Sequence, residues 1–317
     1  MYGKEKKMTV LSVISGIFHE ATSIIGAIFV VAGIIAVIAG LIERASFSRK
    51  ERTFEASQMP EKRAKRIAVI TGASSGIGQK YARIVSEKSE KFGIDEVWLI
   101  ARRKEKLEET AAGLAIPSKV IPLDVTSQSV PERLRNELAG EENVCVTFLA
   151  NCAGFGKYGS SAEVGHEEEC RMIALNDSAA ITITDVIVPY MRPGARIAQI
   201  CSVAAFQPIP FFNAYAASKA LLYSYSRALR IELLKKGISV TAVSPYWVKD
   251  TEFISTAAGE QRKLLLSSKS ESVARVSLHD VLHRHALSTP GIVCTAERFF
   301  AGILPDELLA YIMPLFL

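Results

Sequence analysis

The 317-residue chain holds five cysteines, Cys145, Cys152, Cys170, Cys201 and Cys294, none in a CxxC pair or a framework spacing. Several fall in apolar, strand-like runs, where cysteine behaves as a small hydrophobe. This pattern excludes a disulfide scaffold and reads as reduced thiols in a cytosolic compartment. Charge of one sign is equally scarce. The net charge is only +5, and Lys and Arg interleave with Asp and Glu, so nothing marks a nucleic-acid partner. Internal repeats are missing too. A hydrophobic fraction of 49% excludes disorder. The length suits one large α/β domain plus an appendage.

One absence locates the appendage. Ala21 to Ile42 carries no charge and is dominated by Ile, Val, Ala and Gly. That is roughly the 20 residues a helix needs to cross a bilayer core, so 21–42 reads as a transmembrane helix. Residues 1–20 form a preceding cytosolic or interfacial segment, interrupted by His19-Glu20. Lys4, Lys6 and Lys7 resemble the start of a signal peptide, but the apolar stretch is too long for one. Small residues recur at Gly26, Gly33 and Gly40, and at Ala32, Ala36 and Gly40, a stripe that could support helix–helix contact. Residues 43–64 are charged, mixed in sign, and read as a linker. The lysines and arginines flanking the span do not decide its orientation.

From residue 65 onward apolar runs alternate with helical patterns. Strands are expected at 66–71, 96–101, 119–123, 144–150, 195–201 and 238–244, with helices beginning near 77, 104, 127, 167 and 213. Regular alternation with nearly continuous apolar strands predicts a parallel sheet covered by helices on both faces. Residues 65–255 are the expected catalytic domain. The remainder, 256–317, reads as a substrate lid and C-terminal segment, with a helix over 273–287, a candidate last strand at Gly291 to Cys294 and an apolar tail from Pro305.

The stretch Thr71-Gly72-Ala73-Ser74-Ser75-Gly76-Ile77-Gly78 follows the first strand directly and opens an amphipathic helix. Strand, glycine turn and helix N-terminus together suit a dinucleotide pyrophosphate. Glycines let the backbone approach the phosphates, and the helix N–H groups and dipole favour the anion. Further along, Tyr215 and Lys219 lie four apart in an expected helix, Asn213 to Leu234, and so share a face. An ammonium beside a phenol favours the phenolate and makes Tyr215 an acid/base for a carbonyl–alcohol pair. Ser202 follows an apolar strand, where strand ends point into the ligand crevice of such sheets.

This ordered set is similar to the short-chain dehydrogenase/reductase family over residues 65–255. It comprises TGASSGIG at 71–78, Asp124-Val125, Asn151-Cys152-Ala153-Gly154, Asn176, Ser202 and Tyr215-Ala-Ala-Ser-Lys219. The resemblance implies a Rossmann-type doubly wound parallel sheet. It implies Tyr215 as acid/base, Lys219 as ribose ligand and pKa modulator, Ser202 as carbonyl positioner, and Asn176 as holder of a relay water. Asp124 and Val125 would contact adenine, and Asn151, Ala153 and Gly154 would line the cofactor cleft. Two departures stand out: Cys152 replaces the family's second asparagine, and Pro245-Tyr246-Trp247-Val248-Lys249-Asp250-Thr251 has Tyr for Gly and one extra residue. Pro245, Val248 and Thr251 are carried over as cofactor contacts with that insertion in mind.

The cofactor choice turns on one more absence. No Asp or Glu stands at the end of the second strand; Ala101-Arg102-Arg103 does. An acid there would bind a ribose 2′-hydroxyl, whereas arginine grips a 2′-phosphate in bidentate fashion. NADP is expected over NAD. A nicotinamide cofactor also directs the catalytic domain of a single-pass membrane protein towards the cytoplasm.

Around the expected nicotinamide site lie Phe155, Tyr158, Phe206, Pro208, Ile209, Phe211, Phe212, Tyr246, Trp247 and Phe253, part of them core. An apolar pocket suits a lipophilic ketone or secondary alcohol. The anchor and the Asn-x-Ala-Gly-Phe-Gly run at 151–156 resemble membrane-bound 17β-hydroxysteroid dehydrogenases and 3-ketoacyl reductases. His279 and His283 share a helical face with Asp280 nearby, but His285 does not, and a surface helix accounts for them without a metal. The competing reading is a catalytically silent dinucleotide-binding redox sensor or scaffold at the membrane. A structural membrane protein ranks below both. Family members are often dimers or tetramers, so a homo-oligomer stays open, although the sequence marks no interface.

Overall fold

The computed structural model describes residues 31, 34–35, 37–51, 64–258 and 266–315. The chain divides into two units, Met1–Ala45 and Ser46–Leu317. Most of the span expected at 21–42, and all of 1–20, lies outside the described residues. Where the first unit is described it is helical, and Val37, Ile38, Leu41 and Ile42 are exposed.

The second unit is built on seven parallel strands: β1 (Lys65–Thr71), β2 (Glu96–Ala101), β3 (Ser118–Pro122), β4 (Val144–Asn151), β5 (Met191–Ile200), β6 (Ser239–Val243) and β7 (Leu287–Ser288), in the order β3-β2-β1-β4-β5-β6-β7. The order reverses between β1 and β4, which opens a crevice beyond the strands' carboxyl ends.

Side chains alternate across each strand, so neighbours in β1 serve opposite faces. Ile67 and Val69 join one core with Trp98, Ile100 and Val146, covered by helices α3 (Val130–Ala139), α5 (Ala179–Ile187) and α6 (Asn213–Leu234). Ala68 and Ile70 join the other with Leu99 and Phe148, covered by α1 (Gly76–Glu87), α2 (Lys104–Ala112) and α8 (Ser270–Leu282). Burial on both faces is why these strands read as unbroken apolar runs.

Helix α4 (His166–Ile173) runs through a π-turn (Ala174–Ser178) into α5. Among the described residues, His166–Tyr190 is long and apolar enough to cross a membrane, but half of its apolar window is buried in the fold. Its apolarity is that of a core helix.

The end of the chain departs from expectation. The candidate strand at Gly291 to Cys294 is instead the start of helix α9 (Ile292–Ala301), and the last strand among the described residues is β7, earlier in the chain. Pro290-Gly291 breaks the chain, and the apolar run that follows buries only Cys294 of its helix. The tail contains a further helix, α10 (Asp306–Ile312). Helix α7 (Glu252–Ala258) follows the insertion near Pro245. Within the segment expected as a linker, 46–51 is helical and Phe47 is fully buried in this unit.

Candidate active site

Gly72 and Gly76 take φ of +64° and +54°, backbone that side-chain-bearing residues rarely adopt. A Cβ on Gly72 would lie 2.8 Å from the Ala153 nitrogen, and one on Gly78 would strike the Gly72 carbonyl oxygen. Thr71 ties this turn to the end of β4, its Oγ1 accepting from Cys152 N (3.0 Å) and Ala153 N (3.2 Å). At the N-terminus of α1 Ser75 makes no side-chain cap, and no acidic residue stands in the first turn. The free N–H groups and helix dipole therefore face the crevice, as an anion site requires.

This turn floors a cavity of about 550 Å³. Ser74, Ser75 and Ile77 line it with the three glycines, as do Arg102, Arg103, Asp124 and Val125. Ala153, Gly154, Pro245, Val248 and Thr251 belong to the lining too, together with Ser202, Tyr215 and Lys219. The glycine cradle, which any Cβ would fill, fits a dinucleotide phosphate. Thr126 donates to Asp124 through N and Oγ1 (3.0 and 2.7 Å), which lowers that carboxyl's pKa. The Thr251 hydroxyl donates to Val248 O at 2.8 Å.

Two expected residues lie beneath the cavity rather than in its lining. Asn151 Nδ2 donates to Ala180 O, Thr184 Oγ1 and Gln199 Oε1 (3.2, 3.0 and 3.0 Å), bracing β4 against α5 and β5. Asn176 is fully buried; its Oδ1 accepts from Phe155 N and its Nδ2 donates to Phe155 O and Ser218 Oγ, each at 3.0 Å. A Cβ on Gly154 would sit 2.9 Å from Asn176 Oδ1 and 3.4 Å from Lys219 Nζ, so these three groups meet.

Tyr215 and Lys219 share the buried face of α6, as their spacing requires. Lys219 Nζ donates to Ile200 O at 3.0 Å and stands 5.8 Å from the Tyr215 ring centroid. The expected lowering of the phenol by this ammonium is not what dominates. Burial raises the Tyr215 pKa, opposed by a hydrogen bond with Ser202, and burial lowers that of Lys219. Desolvation penalises both charged forms at once. A phenol kept protonated is the state needed to donate a proton to a carbonyl.

The Tyr215 ring stacks on Phe212 (4.3 Å, 26°), and Phe253 and Trp247 continue the aromatic wall. Of the aromatic and apolar residues expected around the nicotinamide, Phe155, Ile209, Phe212, Tyr246, Trp247 and Phe253 line the cavity. Tyr158, Phe206, Pro208 and Phe211 do not; Phe206 packs edge-on against Tyr223 and Tyr158 against Phe211.

Glu252 and Glu297 also line the cavity, as does Met313. Sequence reasoning missed all three. Glu252 directly follows Thr251 and was within reach of the motif; Glu297 and Met313 come from helices too far along the chain to be placed by spacing. The rings of His279, on α8, and His283, which caps its C-terminus, lie 4.1 Å apart and tilted by 33°, away from this cavity.

Residues 66–262 match the family model described as short chain dehydrogenase. The chain belongs to this family. The very-long-chain 3-oxoacyl-CoA reductase of Anas platyrhynchos is 33% identical over 189 residues, 57% of this chain and 59% of that protein. The 17-beta-hydroxysteroid dehydrogenase type 3 of Mus musculus is 31% identical over 187 residues, covering 56% and 59%. An uncharacterized oxidoreductase of Staphylococcus epidermidis is 28% identical over 66% of this chain and 89% of its own length. A short-chain dehydrogenase from Sphingobium yanoikuyae, solved with NADPH, shares the fold with a TM-score of 0.63 at 24% identity, over 76% of this chain and 96% of that one. This short-chain dehydrogenase is thus an oxidoreductase, and its cavity joins a glycine turn, a buried phenol and an aromatic wall.

Proposed function

We propose that the enzyme transfers hydride between NADP(H) and a lipophilic ketone or secondary alcohol, of the steroid or 3-ketoacyl type. The observation that carries this reading is the place of Tyr215, where the glycine-lined part of the cavity meets the aromatic wall. NADPH, when bound, supplies the hydride. The chain's own residues supply the rest. Ser202 holds the carbonyl oxygen by its hydroxyl while Tyr215 gives that oxygen a proton, and Lys219 holds the nicotinamide ribose. Asn176, meeting Gly154 and Lys219, supports a water-mediated path that returns a proton to the pair.

Arg102, Arg103 and Ser74 at the adenosine end favour a 2′-phosphate, hence NADPH over NADH. The relatives act by name on 3-oxoacyl-CoA and 17β-hydroxysteroids, which supports a lipophilic substrate. The uncharged stretch 21–42 supports a single membrane anchor, and the use of a nicotinamide cofactor supports a catalytic unit on the cytoplasmic side.

The test is turnover of steroid ketones, 3-ketoacyl thioesters and aromatic ketones by the full chain in detergent, followed by loss of NADPH absorbance with NADH as control. Tyr215→Phe should abolish turnover and keep NADPH binding. A wild type that binds NADPH yet reduces none of these ketones would favour the sensor reading.

A further inference from the structure

The acid beside Asn176 has no part in the chemistry described so far. Asp177 lies in the π-turn and is 1% exposed, and neither of its carboxyl oxygens has a hydrogen-bond partner. A buried carboxyl in that condition is costly unless a cation faces it. The turn widens the helix by one residue, so both Asn176 and Asp177 point inward. Asn176 Nδ2 pins this turn to Ser218 on α6, the residue before Lys219.

The Lys219 ammonium is buried, meets Asn176, the neighbour of Asp177, at Gly154, and stands 5.8 Å from the Tyr215 ring centroid. Besides that phenol, Asp177, Cys152 and Cys201 are the ionisable groups that act on its charge. Burial raises both thiols, Cys201 to about 12, so neither carries charge at working pH. Asp177 is then the anion available to a lysine that burial would otherwise neutralise. The same burial raises Asp177 to about 7, opposed by Lys219. Above that pH the carboxylate is present, which is where an ammonium is at risk.

We propose that Asp177 is the counter-charge of Lys219, a positioning residue that extends to higher pH the range over which Lys219 holds cofactor and Tyr215 delivers its proton. The proposal rests on the roles given to Lys219 and Tyr215 above. It places no substrate contact on Asp177, which does not line the cavity.

The test is the pH dependence of two quantities in the full-length protein and in Asp177→Asn. One is NADPH affinity, read by quenching of tryptophan fluorescence, since Trp247 lines the cavity. The other is kcat/KM for a ketone. Removing a negative charge makes Lys219 and Tyr215 release their protons earlier, so both alkaline limbs should move to lower pH by about one unit. A variant with unchanged limbs and a uniform loss of rate or a lower Tm would show a structural residue and overturn the proposal. If Asp177→Asn does not fold, the wild type still decides. Its NADPH affinity should hold through neutrality into the alkaline range, and a loss centred near neutrality overturns the proposal. The binding limb is read whether or not any ketone turns over, so failure of the substrate reading stays distinguishable.

Discussion

Arg103 and Glu252 join across the crevice: Nη1 and Nη2 of the arginine donate to the two carboxylate oxygens of the glutamate at 2.9 and 2.8 Å. Arg103 comes from the end of β2 and Glu252 from the start of α7, and both line the cavity. Ser75 Oγ donates to the same carboxylate at 3.2 Å. The glutamate thus occupies the guanidinium proposed above to meet a 2′-phosphate. The pair is about half exposed, side-chain accessibilities being 46% and 57%, so it contributes only ~0–1 kcal/mol and is readily displaced.

Glu252→Gln should release Arg103 and tighten NADPH binding about threefold, with little change for NADH. Arg103→Ala should weaken NADPH by about tenfold or more, again sparing NADH. Titrations with both cofactors check this; equal losses for the two would remove Arg103 from phosphate recognition.

Glu297 predicts a pH effect on substrate. Burial raises its carboxyl to about 7, only partly offset by the hydrogen bond it accepts from Gln207. Below that pH the cavity wall is neutral there, and above it a charge faces an apolar ligand. KM for an uncharged ketone should rise as pH passes 7, and Glu297→Gln should flatten that rise. Stability follows the same sign. The folded state keeps this proton where the unfolded chain, near pKa ~4.3, has lost it. Stability from this site therefore falls between the two values as pH rises, and Glu297→Gln should be the more stable protein at pH 8.

The segment before β1 should prove part of the catalytic unit. The guanidinium carbons of Arg230 and Arg284 lie 5.0 and 5.9 Å from the Phe47 ring centroid. Lys50 Nζ donates to Leu234 O and Lys235 O at 2.8 Å each, satisfying carbonyls at the end of α6, and Glu51 pairs with Arg284. Phe47→Ala should cost about 3 kcal/mol. A chain starting at Lys62 should melt roughly 5–10 °C below one starting at Ser46. Equal melting temperatures would make this packing energetically idle.

Gly78→Ala probes the phosphate cradle. Its Cβ would meet backbone, the Gly72 carbonyl, which cannot swing aside as a side chain can. NADPH affinity should fall at least tenfold, with the secondary-structure signal of the fold retained by circular dichroism.

Local pattern by itself determined most of the sheet. The runs at 66–71 and 96–101 are largely apolar because both faces of β1 and β2 are buried, and a near-continuous run is the imprint of that burial. The glycine turn and the Tyr215–Lys219 pair were legible for the same reason: each is set by spacing within one turn or one helix face. What only the tertiary structure decided involves distance along the chain. Glu252 meets Arg103 across 149 positions, and Gln207 meets Glu297 across 90. No periodicity encodes such pairs. The state of Tyr215 belongs here too, because desolvation depends on everything packed around a group and not on its neighbour four residues away. The misplaced last strand has the same origin. Gly291 to Cys294 is short and apolar, and its choice between strand and helix fell to the packing of Cys294 against the body of the fold, not to the four residues themselves.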